Sequence, residues 1–175
     1  MTKRIRVSVL TVGVVALLSA LLLAPVATAA NRVQVPITGS GTNAAGETVE
    51  FVGTFTLKGF DVKNGGLVAV GTLSGTLTNT VTGAVETVSN FRVNLPVTQA
   101  DGTCEILHLE LGPLDVDLLG LVIHLDKVVL DITAEQGSGN LLGNLLCAVA
   151  GLLDNGGALT DIASLLNQIL QALTR

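Results

Sequence analysis

Apolar and polar residues alternate along most of the chain between residues 32 and 133, with the period of two that is typical of half-buried β-strands. Residues 48–60 show it most clearly, with an apolar face made by Val49, Phe51, Phe55 and Leu57. The alternation slips by one position at Gly59, after which Phe60 joins the apolar side. A glycine at such a slip predicts a β-bulge.

Further runs of the same kind follow, separated by residues that favour tight turns. Asn64-Gly65, the Val81–Gly83 triplet and Asp101-Gly102 each predict a turn. Pro96 lies on the polar side of its run and indicates either an edge strand or a bulge. The predicted apolar faces are Leu67, Ala69, Leu73 and Leu77; Phe91, Val93, Leu95 and Val97; Leu107, Leu109 and Leu111; Leu121, Ile123 and Leu125; and Val128, Leu130 and Ile132.

Two glycines, Gly71 and Gly75, fall on the apolar face of their run. A missing side chain there lets another group approach or lets the sheet bend. Five or six strands joined by tight turns predict an antiparallel meander. Such a sheet must curl into a barrel or be covered on its apolar face.

The period changes to 3.6 at residue 139, and residues 139–154 are predicted to form one helix. One arc of this helix is rich in leucine, whereas the opposite arc carries Gly143, Cys147 and Gly151 at intervals of four. We expect the two glycines to face the sheet and Leu145 and Leu146 to face a second helix. The segment is too short to span a bilayer.

The second helix is predicted within residues 159–175, with Ile162, Leu166 and Ile169 on its apolar face and Asp161 near its start. Residues 154–158 form the glycine-rich linker. The predicted fold is therefore α+β: an antiparallel β-meander, as a curved or barrel-like sheet, covered by a C-terminal helical hairpin. We assign residues 30–175 to one secreted domain, with the meander at 30–135 and the two helices at 139–173.

Residues 1–29 have the composition of a secretory signal peptide. Lys3, Arg4 and Arg6 precede an apolar stretch, and Ala27-Thr28-Ala29 supplies the small residues of a cleavage site. Cleavage after Ala29 would leave no membrane span in the mature chain. The alternative is an uncleaved anchor, because the apolar stretch is long enough to cross a bilayer. We expect cleavage and export to the medium or the cell envelope.

Loss of residues 1–29 removes three of the nine basic residues and none of the fourteen acidic ones, so the mature formal charge is −8. The chain has no Trp or Tyr and no basic cluster. These features argue against a nucleic-acid partner and against binding to an anionic membrane surface.

The two cysteines, Cys104 and Cys147, suggest a disulfide in an exported protein. Closing a loop of this size would contribute about 4 kcal/mol in the chain-entropy treatment. Two buried free thiols are the alternative.

Motifs for chemistry are sparse. The chain lacks a G-x-S-x-G elbow, and its serines, Ser40 among them, have no base in a recognisable arrangement, which disfavours a serine hydrolase. The candidate metal ligands are His108, Glu110, His124 and Asp126. If their strands pair around a turn near Val116, the two histidines lie opposite each other. The alternative is that all four are solvent-side residues of two strands, and we expect no cofactor and no catalytic residue.

Residues 109–154 contain an LGPL-x-x-DLLGL block and a GNLLGNLLC-x-x-x-GLLD block. In these blocks the chain resembles a family of uncharacterised exported bacterial proteins with a signal peptide and a glycine- and threonine-rich β region. The resemblance implies that Cys104, Gly112, Pro113, Cys147 and Asp154 belong to the family's framework. It carries over no catalytic residue.

The sequence therefore predicts a non-enzymatic exported protein, a binding or structural domain of the cell envelope or medium. The alternatives are a carrier of a small apolar ligand and, less favoured, a metal-dependent enzyme that uses His108 and His124. The expected partner is an apolar ligand or another protein.

Overall fold

The computed structural model describes residues 32–174. The predicted signal peptide and its cleavage site lie outside the described residues. The described chain forms eight strands and two helices: β1 (Gln34–Thr42), β2 (Thr48–Lys63), β3 (Gly66–Asn79), β4 (Val85–Gly102), β5 (Ile106–Leu111), β6 (Leu114–Leu118), β7 (Leu121–Leu125), β8 (Val128–Thr133), α1 (Leu141–Asp154) and α2 (Leu159–Leu173).

All strand pairs are antiparallel, and the strands form one sheet in the order β6-β7-β1-β2-β3-β4-β5-β8. The predicted α+β class and C-terminal helical hairpin are confirmed. Chain order and sheet order agree from β1 to β5, as a meander requires. The β6–β7 hairpin departs from this order, because β7 pairs with the N-terminal strand β1.

Two very short connections determine how the sheet curves. Gly112-Pro113 joins β5 to β6, and Asp126-Lys127 joins β7 to β8. Each therefore links strands from opposite ends of the sheet, so those ends must lie close together in space. β6 approaches β4 and β8 approaches β1, but neither pair forms a ladder and the sheet stays open.

The apolar faces predicted for β2 and β3 point into the core. Phe51 and Phe55 are fully buried. A Cβ placed on Gly71 would lie 2.5 Å from Cε2 of Phe55. The prediction that this glycine admits a close neighbour is confirmed, since the Phe55 ring fills the space beside it.

Local irregularities occur where the sequence predicts them. The β2–β3 register shifts between Leu57 and Gly59. Asn64 and Gly65 both have positive φ, the left-handed conformation of a tight hairpin turn. Pro96 lies in an interior strand, next to a register shift between Val97 and Gln99, so the bulge alternative is the correct one.

Two predicted turns are misplaced. Asp101-Gly102 still belongs to β4, and the chain turns just beyond it, where the N–H of Thr103 donates to the carbonyl of Ile106 at 2.7 Å. Cys104 lies within this turn. The turn between β6 and β7 is at Leu119-Gly120, where both residues have positive φ, and not near Val116, which is buried.

Helix α2 covers the gap between β2 and β8. It packs against Leu57 and Phe60 from β2 and against Leu130 and Ile132 from β8, and encloses a space of only about 20 Å³. The helical side chains in this contact are Leu166, Ile169, Leu170 and Leu173. The core beneath α2 is therefore closely packed.

The disulfide between Cys104 and Cys147 ties α1 to the β4–β5 turn, as predicted. The arc of α1 that carries Gly143, Cys147 and Gly151 does not face the sheet along its whole length. A Cβ on Gly143 would meet the backbone of residues 135–136, whereas a Cβ on Gly151 would meet nothing within 4 Å. The expectation for both glycines was wrong, because the segment before α1 folds back over Gly143. Leu145 and Leu146 are buried in the core.

Within residues 32–174, neither helix has the length and hydropathy needed to cross a membrane.

Candidate functional site

The two histidines lie on different strand pairs and do not face each other. His108 on β5 lies between Asp101 of β4 and Asp131 of β8. His124 on β7 lies between Ser40 of β1 and Asp115 of β6. The predicted pairing was wrong, because the strands that carry the histidines have separate partners in the sheet.

Both ring nitrogens of His108 face carboxylates. Nδ1 lies 2.6 Å from Oδ1 of Asp131, and Nε2 lies 3.9 Å from Oε1 of Glu110. The same Glu110 oxygen accepts a hydrogen bond from Nζ of Lys127 at 2.8 Å. This network links β5 to β8 and to the connection before it, which is a structural role for His108 and Glu110.

Asp126 is engaged elsewhere. Its Oδ2 accepts a hydrogen bond from Oγ1 of Thr38 at 2.6 Å, and its N–H donates to the Thr38 carbonyl at 2.9 Å. Among residues 32–174, no three His, Cys, Asp or Glu side chains come together in an arrangement suited to a metal ion. Of the four candidate ligands, only His108 and Glu110 are neighbours.

His124 forms a separate polar row. Its Nδ1 lies 2.7 Å from Oδ1 of Asp115, and Ser40 is its direct cross-strand neighbour on β1. Ser40, Asp115 and His124 line one shallow open depression together with Thr42 and Thr48. Sequence reasoning missed this row, because it depends on the pairing of β1 with β7, which are far apart in the chain.

An open groove of about 590 Å³ lies between β2 and α2. We call it the β2–α2 groove and define it by its lining: Arg32, Leu57, Lys58, Asn167, Leu170, Gln171 and Thr174. Two side chains are cationic, three are polar and uncharged, two are aliphatic, and none is acidic.

Hydrogen bonds and core packing hold the floor of the groove in place. Asn167 on α2 bonds to the backbone of Phe60 on β2, accepting from its N–H at 2.8 Å and donating to its carbonyl at 2.9 Å. Leu57 and Leu170 belong to the core beneath. The polar and cationic groups therefore stand beside an apolar base that belongs to the core.

No protein-family model, curated protein or solved structure matches the chain.

Proposed function

We propose that this protein is an exported domain that acts by binding and not by catalysis, and that the β2–α2 groove receives an acidic peptide segment of a protein partner. The main support for this proposal is the positive charge of the residues that line the groove. Arg32 and Lys58 line it without any carboxylate, in a chain with a formal charge of −5 and fourteen acidic residues.

The chemistry of the lining fits an acidic peptide. Guanidinium and ammonium groups pair with carboxylates, the former in a bidentate manner. The side-chain amides of Asn167 and Gln171 and the hydroxyl of Thr174 can bond to a peptide backbone. Leu57 and Leu170 offer apolar contact between the polar groups. The surrounding negative charge would repel acidic peptides that do not reach the groove, which favours specificity.

The close packing beneath α2 favours this function over carriage of an apolar ligand at that place. A drug-sized ligand usually occupies a cavity of roughly 300–1,000 Å³. The enclosed space beneath α2 is about 20 Å³, and the ring of Phe55 fills the room beside Gly71. An apolar ligand at either place would have to displace core side chains.

Metal-dependent catalysis by His108 and His124 has less support. Their strands have different partners, and His108 is held by Asp131 and Glu110. The two histidines have no strand partner in common, and among residues 32–174 neither belongs to a group of three side chains suited to a metal ion.

The binding proposal is tested by fluorescence anisotropy with a labelled oligoglutamate peptide at low salt. We expect saturable binding that weakens as salt is added. Lys58→Glu should weaken binding about tenfold or more, since a cation in contact with the ligand becomes a repelling anion.

The matched control is Lys63→Glu, which makes the same charge change at the exposed end of the same strand, outside the groove. It should leave the dissociation constant within about twofold of the wild-type value. Equal weakening by both variants, or no saturable binding at all, would overturn the groove as the recognition surface.

Export is the second part of the proposal. It is supported by the signal-peptide composition of residues 1–29, and the Cys104–Cys147 disulfide is compatible with it. N-terminal sequencing of protein secreted by an expressing bacterium should begin at Ala30. Recovery of the chain only in the membrane fraction with Met1 intact would refute cleavage.

A further inference from the structure

We propose a second, chemical property that is independent of the β2–α2 groove: Ser40 is a nucleophile that His124 and Asp115 activate, and it accepts an acyl group from a small ester. The three residues lie side by side on β1, β7 and β6, on the outer face of the sheet. They supply the nucleophile, the base and the orienting carboxylate of an acyl transfer that stops at acyl-Ser40.

The Asp115 carboxylate fixes the orientation of the imidazole. It lies 2.7 Å from Nδ1 of His124, so it accepts the proton on that nitrogen and leaves the lone pair on Nε2. The ring then has its hydrogen-bonded nitrogen toward Asp115 on β6, and Nε2 is its basic nitrogen. This is the tautomer that a general base requires.

Ser40 is placed to use that nitrogen. Residues directly opposite on antiparallel strands have Cβ atoms about 5 Å apart. With the imidazole held by Asp115, rotation of the Ser40 side chain about χ1 can therefore carry Oγ toward Nε2 of His124. Such contacts often tighten only when substrate is present.

The glycines on either side of Ser40 explain why β1 and β7 keep this register. A Cβ on Gly39 would lie 2.6 Å from the carbonyl oxygen of His124, and a Cβ on Gly41 would clash with the carbonyl oxygen of Val122. Only glycine permits the close approach of the two strands at these points. The Gly-Ser-Gly sequence thus keeps Ser40 and His124 directly opposite each other on the two strands.

The reaction balances without a cofactor. Oγ of Ser40 attacks the ester carbonyl carbon as its proton moves to Nε2 of His124. The bond between the carbonyl carbon and the alcohol oxygen then breaks, and the alcohol leaves with the proton from His124. The products are an O-acyl Ser40 and a free alcohol, with His124 neutral again.

A second histidine–carboxylate pair in the same sheet provides an internal comparison. His108 contacts Asp131 at a similar distance, but its cross-strand neighbour on the other side is Asp101, which has no hydroxyl. The proposal therefore predicts acylation next to His124 and none next to His108.

The test uses p-nitrophenyl acetate with the purified mature protein. We expect a burst of about one equivalent of p-nitrophenolate, because acetyl-Ser40 is an ordinary ester and is hydrolysed far more slowly than the activated one. Peptide mapping should place the acetyl group on Ser40. Ser40→Ala should abolish the burst, and His124→Gln should slow it about 100-fold.

The matched controls are His108→Gln and Ser74→Ala, which should leave the burst rate within about twofold of wild type. All variants alter side chains of the outer sheet face, and circular dichroism melts verify that each is folded. Acetylation confined to lysines or the amino terminus would overturn the proposal. An equal slowing by His108→Gln would do so too, since it would show a nonspecific imidazole effect.

Discussion

The side-chain amide of Asn167 on α2 takes the place of a neighbouring strand for Phe60 on β2. Strand β1 pairs with β2 as far as Thr56, and the Leu57 N–H donates to the Val33 carbonyl just beyond, so β2 has no strand on that side from Lys58 onward. Asn167 accepts from the Phe60 N–H at 2.8 Å and donates to the Phe60 carbonyl at 2.9 Å. An unprotected edge invites pairing with other chains, and this amide blocks it.

Replacement of Asn167 by Ala should lower the free energy of unfolding by about 1–3 kcal/mol, because both backbone groups of Phe60 lose their partner in a partly buried site. Urea denaturation measures this loss. Gln168→Ala, at the next and exposed position of α2, is the control and should be nearly neutral. Equal stability of the two variants would show that water replaces the amide at no cost.

The two glycines of α1 should respond in opposite ways to the same substitution. Gly143→Ala gains helix propensity but places its Cβ against the carbonyl of Glu135, so it should destabilise by about 1–3 kcal/mol. Gly151→Ala meets no neighbour and should stabilise by up to about 1 kcal/mol. Thermal melts of the pair test the packing of the segment before α1. Stabilisation by both would mean that this segment does not cover Gly143.

Loss of the disulfide should cost about 2–5 kcal/mol. The bridge closes a loop between positions 43 apart in sequence and anchors α1 to the β4–β5 turn. We expect Cys104→Ser, Cys147→Ser and the double variant to lose similar stability in denaturant titrations, since each breaks the same bond. A double variant as stable as the wild type would show that packing alone holds α1.

Acid should weaken the hairpin end that carries Glu47. Hydrogen bonds from Asn79 and Asn43 hold the pKa of Glu47 below its usual value. A carboxyl whose pKa is lower in the folded state contributes stability above its unfolded pKa of about 4.3, and the contribution is lost as pH falls through the folded pKa. Glu47→Gln should therefore be less stable than wild type at neutral pH, with the difference in melting temperature shrinking below about pH 4. A difference independent of pH would contradict this linkage.

Most strand faces were predictable because alternation reports burial directly. Phe91 is an exception: it was predicted on an apolar face and is exposed. Phe51, Phe55, Leu109 and Leu125 are all predicted on apolar faces and are fully buried. The Asn64-Gly65 turn was predictable as well, since its residues favour the positive φ that the turn needs. The disulfide was predictable because the chain contains only two cysteines.

The candidate site was less predictable, because it depends on which strands become neighbours. Nothing local in the sequence indicates that Ser40 pairs with His124, since the contact joins the first strand to the seventh. The turn at Leu119-Gly120 was missed because a leucine with positive φ breaks the usual turn pattern. The exposed side of Gly151 could not be inferred either, since helical periodicity shows which residues are small and not what lies against them.

The pairing of β1 with β7 has a consequence for the order in which the strands can assemble. A chain that emerges amino terminus first can assemble β1 to β4 as it appears, because each strand pairs with the one before it. The outer edge of β1 must wait for β7, which appears only after residue 120, and the helices follow later still. Contacts so distant in sequence form slowly. During synthesis or translocation, the outer edge of β1 therefore lacks its hydrogen-bonding partner until the last third of the polypeptide is available. A chaperone that binds this protein must therefore shield the first strand rather than the helices.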